Sequence, residues 1–271
     1  MSRDSNFFEK QLQIQGWDQE LLQKTHVLVV GVGGIGSIAA LAYTRLGVGR
    51  LTLVDVDHVE PSNLNRQLLY SKADVGKQKV GRAISNLMAV HSLSTQIEGY
   101  DFDIFRDWQR FINLVRQADL VQNALDLPEV KKLAVGSLCL KLRKPMIFAG
   151  TDPISGNAGM VLFQRSGGNP CYNCLTAAID TVHEKFQEML KPRNILRHKS
   201  ILIEQMTAYA DLSSATNIYT ATSVTMMGIN LMVHWLFKWG TDIPNRIILD
   251  LFNFTCETWS ERSSCDFCQK E

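Results

Sequence analysis

The sequence predicts a doubly wound, mainly parallel α/β sheet with an antiparallel extension, and three observations carry that prediction. Short apolar runs alternate with helical periodicity over residues 26–151, and a glycine-rich turn joins the first run to the first helix. After Gly150 the alternation gives way to strand-like segments. The 271 residues, 45% hydrophobic and 20% charged, suffice for a sizeable core. Residues 1–25 read as an N-terminal helical arm and 26–271 as one unit built on the sheet.

Residues 26–30 are the first strand, 34–46 a helix and 51–55 the next strand. A helix follows over 77–91, with Val80, Ala83, Ile84, Leu87 and Met88 on one face. Residues 95–100 read as a strand, 104–116 as a helix and 120–123 as a buried strand. Pro128, at a position that tolerates proline, opens a helix to about residue 142, and 145–149 is the last parallel strand. Beyond it come a strand over 157–164, the polar stretch 179–219 and an uncharged helix over 221–238. A closing antiparallel pair over 246–252 and 254–260 completes the chain. Residues 180–197, polar with mixed charges, suit a mobile crossover loop, and Met226, Met227, Met232, Trp235 and Phe237 suit core or dimer packing.

Charge and composition exclude several classes. Lys plus Arg (28) against Asp plus Glu (27) leaves +1, which argues against a nucleic-acid binder working through a basic field. The window between Asp211 and Lys238 lacks charge, yet Ser213, Thr216, Asn217, Thr220, Asn230 and His234 make it too polar to span a membrane. Residues 1–8 hold no apolar stretch of the secretory kind, so a cytoplasmic protein is expected. The six histidines show no spacing that suggests a ligand set.

Three motifs carry chemistry. The first is Gly31-Val32-Gly33-Gly34-Ile35-Gly36, after a strand and opening a helix, where backbone N–H groups can approach a phosphate. Asp55 ends the next strand, where its carboxylate can accept from ribose hydroxyls. Alone, this motif does not separate NAD from ATP. The second is Asp57 followed by Ser62-Asn63-Leu64-Asn65-Arg66-Gln67 and Val75-Gly76-Lys77-Gln78-Lys79. Arg66 offers a planar fork and Lys79 a point charge for phosphate oxygens. A nucleotidyl-transfer site needs both; a dehydrogenase has no use for them. The third is Cys171-x-x-Cys174 with Cys265-x-x-Cys268, two hooks that suit a closed, structural Zn2+ site better than two disulfides or free thiols in this compartment.

The string GVGGIG…LVDVDHVEPSNLNRQLLYSKADVGKQKV resembles the ubiquitin-activating-enzyme-like family that includes the ThiF, MoeB and HesA adenylyltransferases, and the resemblance runs from Phe8 to Cys268. It implies a Rossmann-like sheet, usually in a homodimer, that binds ATP with Mg2+ and adenylates the C-terminal glycine of a small ubiquitin-like protein. By matched position, Gly33, Gly34 and Gly36 would sit at the phosphates, Asp55 at the ribose, and Asn63, Arg66 and Lys79 at the triphosphate, with Gly31, Asp57 and Gln67 completing the cofactor-binding set. Asp126 matches the carboxylate used beside magnesium, although by itself it fits the N-cap of the helix after Pro128 equally well. Relatives carry zinc in the same two cysteine hooks.

The sequence departs from the family in two places. Residues 175–223 contain no cysteine, whereas many relatives use one there. Cys139 and Cys256 read as buried and structural, so the reaction is expected to stop at the acyl-adenylate or to pass it to an acceptor supplied elsewhere. Lys10 stands where the family commonly places an arginine that reaches the partner subunit's ATP, keeping the charge but losing the fork. With three residues after Cys268, no rhodanese-like extension is expected. The expected activity is ATP-dependent adenylylation of the C-terminal carboxylate of a sulfur-carrier or ubiquitin-like protein, or of a short ribosomal peptide. The alternatives are a non-catalytic partner subunit and an NAD-dependent dehydrogenase.

Overall fold

The computed structural model describes residues 6–90, 95–126, 129–152, 156–166, 170–177, 216–240, 242–260 and 268. Five strands run parallel: β1 (His26–Val30), β2 (Arg50–Val54), β3 (Gln96–Tyr100), β4 (Leu120–Asn123) and β5 (Met146–Thr151). Three then extend the sheet antiparallel: β6 (Ala158–Gln164), β7 (Arg246–Asp250) and β8 (Thr255–Trp259). The spatial order is β3-β2-β1-β4-β5-β6-β7-β8, so the winding reverses between β1 and β4, where an open sheet forms its ligand crevice.

The strands are apolar because both faces are covered. Side chains alternate across β1: Val27 and Val29 join one core, Leu28 and Val30 the other. The first core packs the sheet on α2 (Gly34–Leu46), α3 (Lys79–Met88) and the uncharged α7 (Ile218–Phe237), through Ala40, Tyr43, Leu87, Val224 and Met232. The second packs it on α4 (Trp108–Gln117) and α5 (Glu129–Lys141) through Phe111, Val115, Val135 and Cys139, with the short α6 (Tyr172–Ala177) beside α5. No helix among the described residues is long and apolar enough to cross a membrane.

Element boundaries differ from the periodicity where side chains intervene. The helix expected from residue 77 starts at Lys79, because Lys77 and Gln78 pair with the segment after β2: Val59 N–H donates to the Lys77 carbonyl and Lys79 N–H to that of Asp57. The helix expected from 104 starts at Trp108, capped by Asp107, which accepts from Arg110 N–H. Asn217 likewise caps α7 through Thr220 N–H and starts it three residues early. Pro128, Cys265 and the crossover stretch 180–197 lie outside the described residues. Cys256 corrects an expectation: it is exposed, because β8 is an edge strand with solvent on it.

The N-terminal segment forms a 3-10 turn (Gln11–Gln13) and α1 (Gln19–Lys24) and docks at the C-terminal end of α2. Phe8 packs on Gly47, and the side-chain amides of Gln11 and Gln19 both donate to the Leu46 carbonyl.

An ion pair between the buried Asp74 and the half-buried Arg82 holds the connection from β2 to α3. Asp74 accepts from Ser71 N–H and hydroxyl, Arg82 Nε and Asn86 Nδ2. Burial alone would raise its carboxyl, but these donors outweigh burial and hold it at about 2. A carboxylate depressed in the folded state stabilises at pH values above its unfolded pKa of about 3.9, and that contribution fades as pH falls from there toward 2. Asp74→Ala is therefore expected to cost about 3 kcal/mol at pH 7 in urea melts, with the gap to wild type closing below pH 4. A gap independent of pH would show that packing, not charge, holds this connection.

Candidate active site

The glycine turn leaves β1 at Val30. Gly31 has φ +86°, and a Cβ there would lie 2.8 Å from the Ala124 carbonyl oxygen at the end of β4. A Cβ on Gly36 would lie 1.8 Å from the Gly31 carbonyl oxygen, so α2 can start this close to the turn only with glycine. The first helical bond is Ser37 N–H to the Gly33 carbonyl. Among the described residues, the N–H groups of Gly33, Gly34, Ile35 and Gly36 have no partner and form an open cradle at a helix N-terminus, a ready anion site.

Charged groups surround this cradle. Asp55 Oδ2 accepts from Val32 N–H at 2.6 Å and Oδ1 from Asp57 N–H at 2.8 Å. Burial raises the Asp55 carboxyl, against the pull of the Lys79 ammonium and these two N–H groups. Lys79 Nζ, nearly buried, lies 2.9 Å from Asp57 Oδ2, whose own side chain is mostly exposed. Arg66 lies across the turn: its Cδ and Nε are 3.6 Å from where a Gly34 Cβ would stand. Its Nη1 donates to the Ser62 carbonyl and to Asn65 Oδ1, both at 2.9 Å. Gln67 is buried beside Gly33, and its Oε1 has no partner among the described residues. Asp126 is exposed just past the Ala124 carbonyl that abuts Gly31.

The structure thus gathers Gly31, Gly33, Gly34, Gly36, Asp55, Asp57, Arg66, Gln67, Lys79 and Asp126 at one edge of the sheet, outside the carboxyl ends of β1, β2 and β4. Two residues behave differently. Asn63 is buried in a 3-10 turn, where its Oδ1 accepts from Glu60 N–H, so its amide holds the Arg66 segment in shape. Lys10 lies near the other end of α2, and 13 helical residues put it about 20 Å from its own chain's cradle. It is exposed, with Glu9 at 3.8 Å. No pattern in the sequence marks Tyr70, whose buried hydroxyl donates to the Val32 carbonyl at 2.9 Å; an aromatic after a polar turn reads as core.

The cysteines lie at the opposite edge. Cys171, beside the start of α6, packs with Leu140 at the end of α5, and the following Tyr172 N–H donates to Gln164 at the end of β6. Sγ of Cys174 is 3.7 Å from that of Cys171 and 3.7 Å from that of Cys268. The three sulfurs lie within 4.8 Å of one another. A tetrahedron with Zn–S of about 2.3 Å has S···S edges of about 3.8 Å, whereas a disulfide needs about 2.0 Å. The described thiols therefore fit three corners of a metal shell, one strand length or about 17 Å from the cradle. Cys139 is buried in the second core, its thiol pushed up to about 12 by burial. Cys256, though exposed, sits five strand spacings from β1, about 24 Å away.

An anion cradle at a helix N-terminus, a carboxylate at the next strand end and two flanking cations are an arrangement by which a doubly wound α/β sheet can hold a nucleotide. The ThiF family model matches residues 8–266, and the chain belongs to the ThiF family. It is 36% identical over 162 residues to the adenylyltransferase and sulfurtransferase MOCS3 of Anopheles gambiae, across 60% of this chain and 35% of that protein. It is 32% identical over 172 residues to the molybdopterin-synthase adenylyltransferase of Escherichia coli K12, across 62% of this chain and 67% of that one. The match spans about a third of the MOCS3 proteins' length. In fold it is similar to E. coli MccB solved with AMPCPP and MccA, with a TM-score of 0.77, 20% identity, and coverage of 98% of this chain and 75% of that one.

Proposed function

We propose that this protein is an ATP-dependent adenylyltransferase that activates a C-terminal carboxylate as acyl-AMP. The observation that carries the reading is the cradle of four unpartnered N–H groups with Arg66 across its mouth and Lys79 held at Asp57 beside it. Phosphate would replace Asp57 as the partner of Lys79 and occupy the open N–H groups. One carboxylate oxygen would attack the α-phosphorus, forming the acyl–O–P bond as the bond to pyrophosphate breaks. Arg66 and Lys79 would take up the charge that builds on the phosphate oxygens. Asp126, exposed and just past Ala124, would hold a Mg2+, which would supply further neutralisation of phosphate charge.

A relative's name, sulfur carrier protein adenylyltransferase, favours a small sulfur-carrier protein of the ubiquitin-like kind expected above as the carboxylate donor, and the fold likeness to MccB solved with MccA makes a peptide the second choice. The thiol tetrad of Cys171, Cys174, Cys265 and Cys268 would hold Zn2+ as a structural clamp. Lys10, far from its own cradle and exposed, would serve the site of a second copy in a homodimer. The setting would be the cytoplasm.

ATP–pyrophosphate exchange tests the activity, with magnesium and a panel of carrier proteins and peptides with free C-termini. Exchange is expected to need one donor and to fall at least about 100-fold in Arg66→Ala, which removes both charge and fork. Absence of ATP binding by calorimetry would overturn the reading in favour of a non-catalytic partner subunit.

A further inference from the structure

We propose that the Tyr70 hydroxyl is a positioning group for the nucleotide: it locks the Val32–Gly33 peptide in the orientation that aims the Gly33 N–H into the cradle. The inference rests on the adenylyltransferase reading above and concerns how this chain prepares that site.

The argument is one of peptide geometry. The Val32 carbonyl and the Gly33 N–H belong to the same planar trans peptide, so they point in opposite directions. Tyr70 Oη donates to the Val32 carbonyl at 2.9 Å, and the Gly33 N–H is left without a partner. The preceding peptide is pinned from another side, since Val32 N–H donates to Asp55 Oδ2 at 2.6 Å. Two neighbouring peptides are therefore fixed by side chains from two different segments, the end of β2 and the segment that carries Arg66.

The lock matters because glycines flank Val32 on both sides. Glycine adopts either sign of φ at little cost, so a peptide between Val32 and Gly33 can rotate as a unit when nothing holds it. The rotated form would turn a carbonyl oxygen, not an N–H, toward the phosphate. Tyr70 itself is well placed to resist this. Its ring is buried in the first core, its own N–H donates to the Gln67 carbonyl, and the neighbouring Leu69 carbonyl accepts from Asn86 on α3. Burial first, and then Asp55, Asp57 and Asp74, keep the phenol protonated, so it stays a donor.

Tyr70→Phe removes only the hydroxyl. Tyr43→Phe is the matched control, another buried phenol whose hydroxyl donates to Gln122 on β4, away from the turn. ATP affinity would be measured by calorimetry on wild type and both variants, with unfolding midpoints and amide exchange at Gly33 alongside. Tyr70→Phe is expected to weaken ATP about tenfold and to speed Gly33 exchange, while Tyr43→Phe loses similar stability but keeps wild-type affinity. Unchanged ATP affinity in Tyr70→Phe, or equal loss in both variants, would overturn the proposal and leave the phenol a packing group. Failure of wild type itself to bind ATP would overturn the adenylyltransferase reading and this proposal with it.

Discussion

Replacing Lys79 with methionine is expected to slow adenylylation by about three orders of magnitude, roughly 4 kcal/mol of transition-state stabilisation. The side chain is almost fully buried, so methionine keeps its apolar stem packed and removes only the charge. That ammonium does two things in the structure: it pairs with Asp57 at 2.9 Å, and it pulls down the carboxyl of the nearby Asp55, which burial raises. Without it, Asp55 rises further, and the charge of ATP would meet two carboxylates with one cation fewer to offset them. Single-turnover measurement of acyl-AMP formation separates this from a binding defect. A Lys79→Met enzyme with unchanged single-turnover rate and weakened ATP affinity would confine the lysine to ground-state binding.

The second large effect is expected at the opposite edge of the sheet. Cys174 stands at the centre of the described thiols, 3.7 Å from both Cys171 and Cys268. Cys174→Ser is expected to abolish a stoichiometric zinc content, read by elemental analysis of the purified protein. It should also lower stability by several kcal/mol, since binding energy at a structural zinc is folding energy. ATP affinity should stay unchanged, because a full strand length separates the thiols from the glycine turn. Wild-type protein free of metal, with the same unfolding midpoint as the variant, would rule out the clamp.

The fold was legible in the sequence wherever a single signal dominated. The run at β1 (His26–Val30) and the glycines around α2 fixed both elements to the residue, because an apolar strand buried on both faces and a turn that admits no Cβ leave no alternative. Legibility failed where polar side chains compete for the backbone. Asp107 and Asn217 shifted the starts of α4 and α7, and Lys77 and Gln78 left their apolar-patterned helix to pair with residues 57–59. At the candidate site, the charged residues were readable as types at a spacing. Local bonds made by neutral side chains were not readable: Asn63 Oδ1 accepts from Glu60 N–H, and the Tyr70 hydroxyl donates to the Val32 carbonyl. Cys256 was misplaced for a related reason. A strand pattern gives alternation, but not whether another strand or water lies beyond the edge.

The reversal of strand direction after β5 divides the molecule's labour in a way that bears on how such proteins diversify. Every side chain gathered at the cradle comes from the parallel part, between Gly31 and Asp126, whereas β6, β7, β8 and α7 contribute none of them. Drift in the antiparallel part could reshape what lies beside the crevice without disturbing the groups gathered at the cradle. Under the proposed function, one activation chemistry would be free to acquire new clients while its energy source stayed constant.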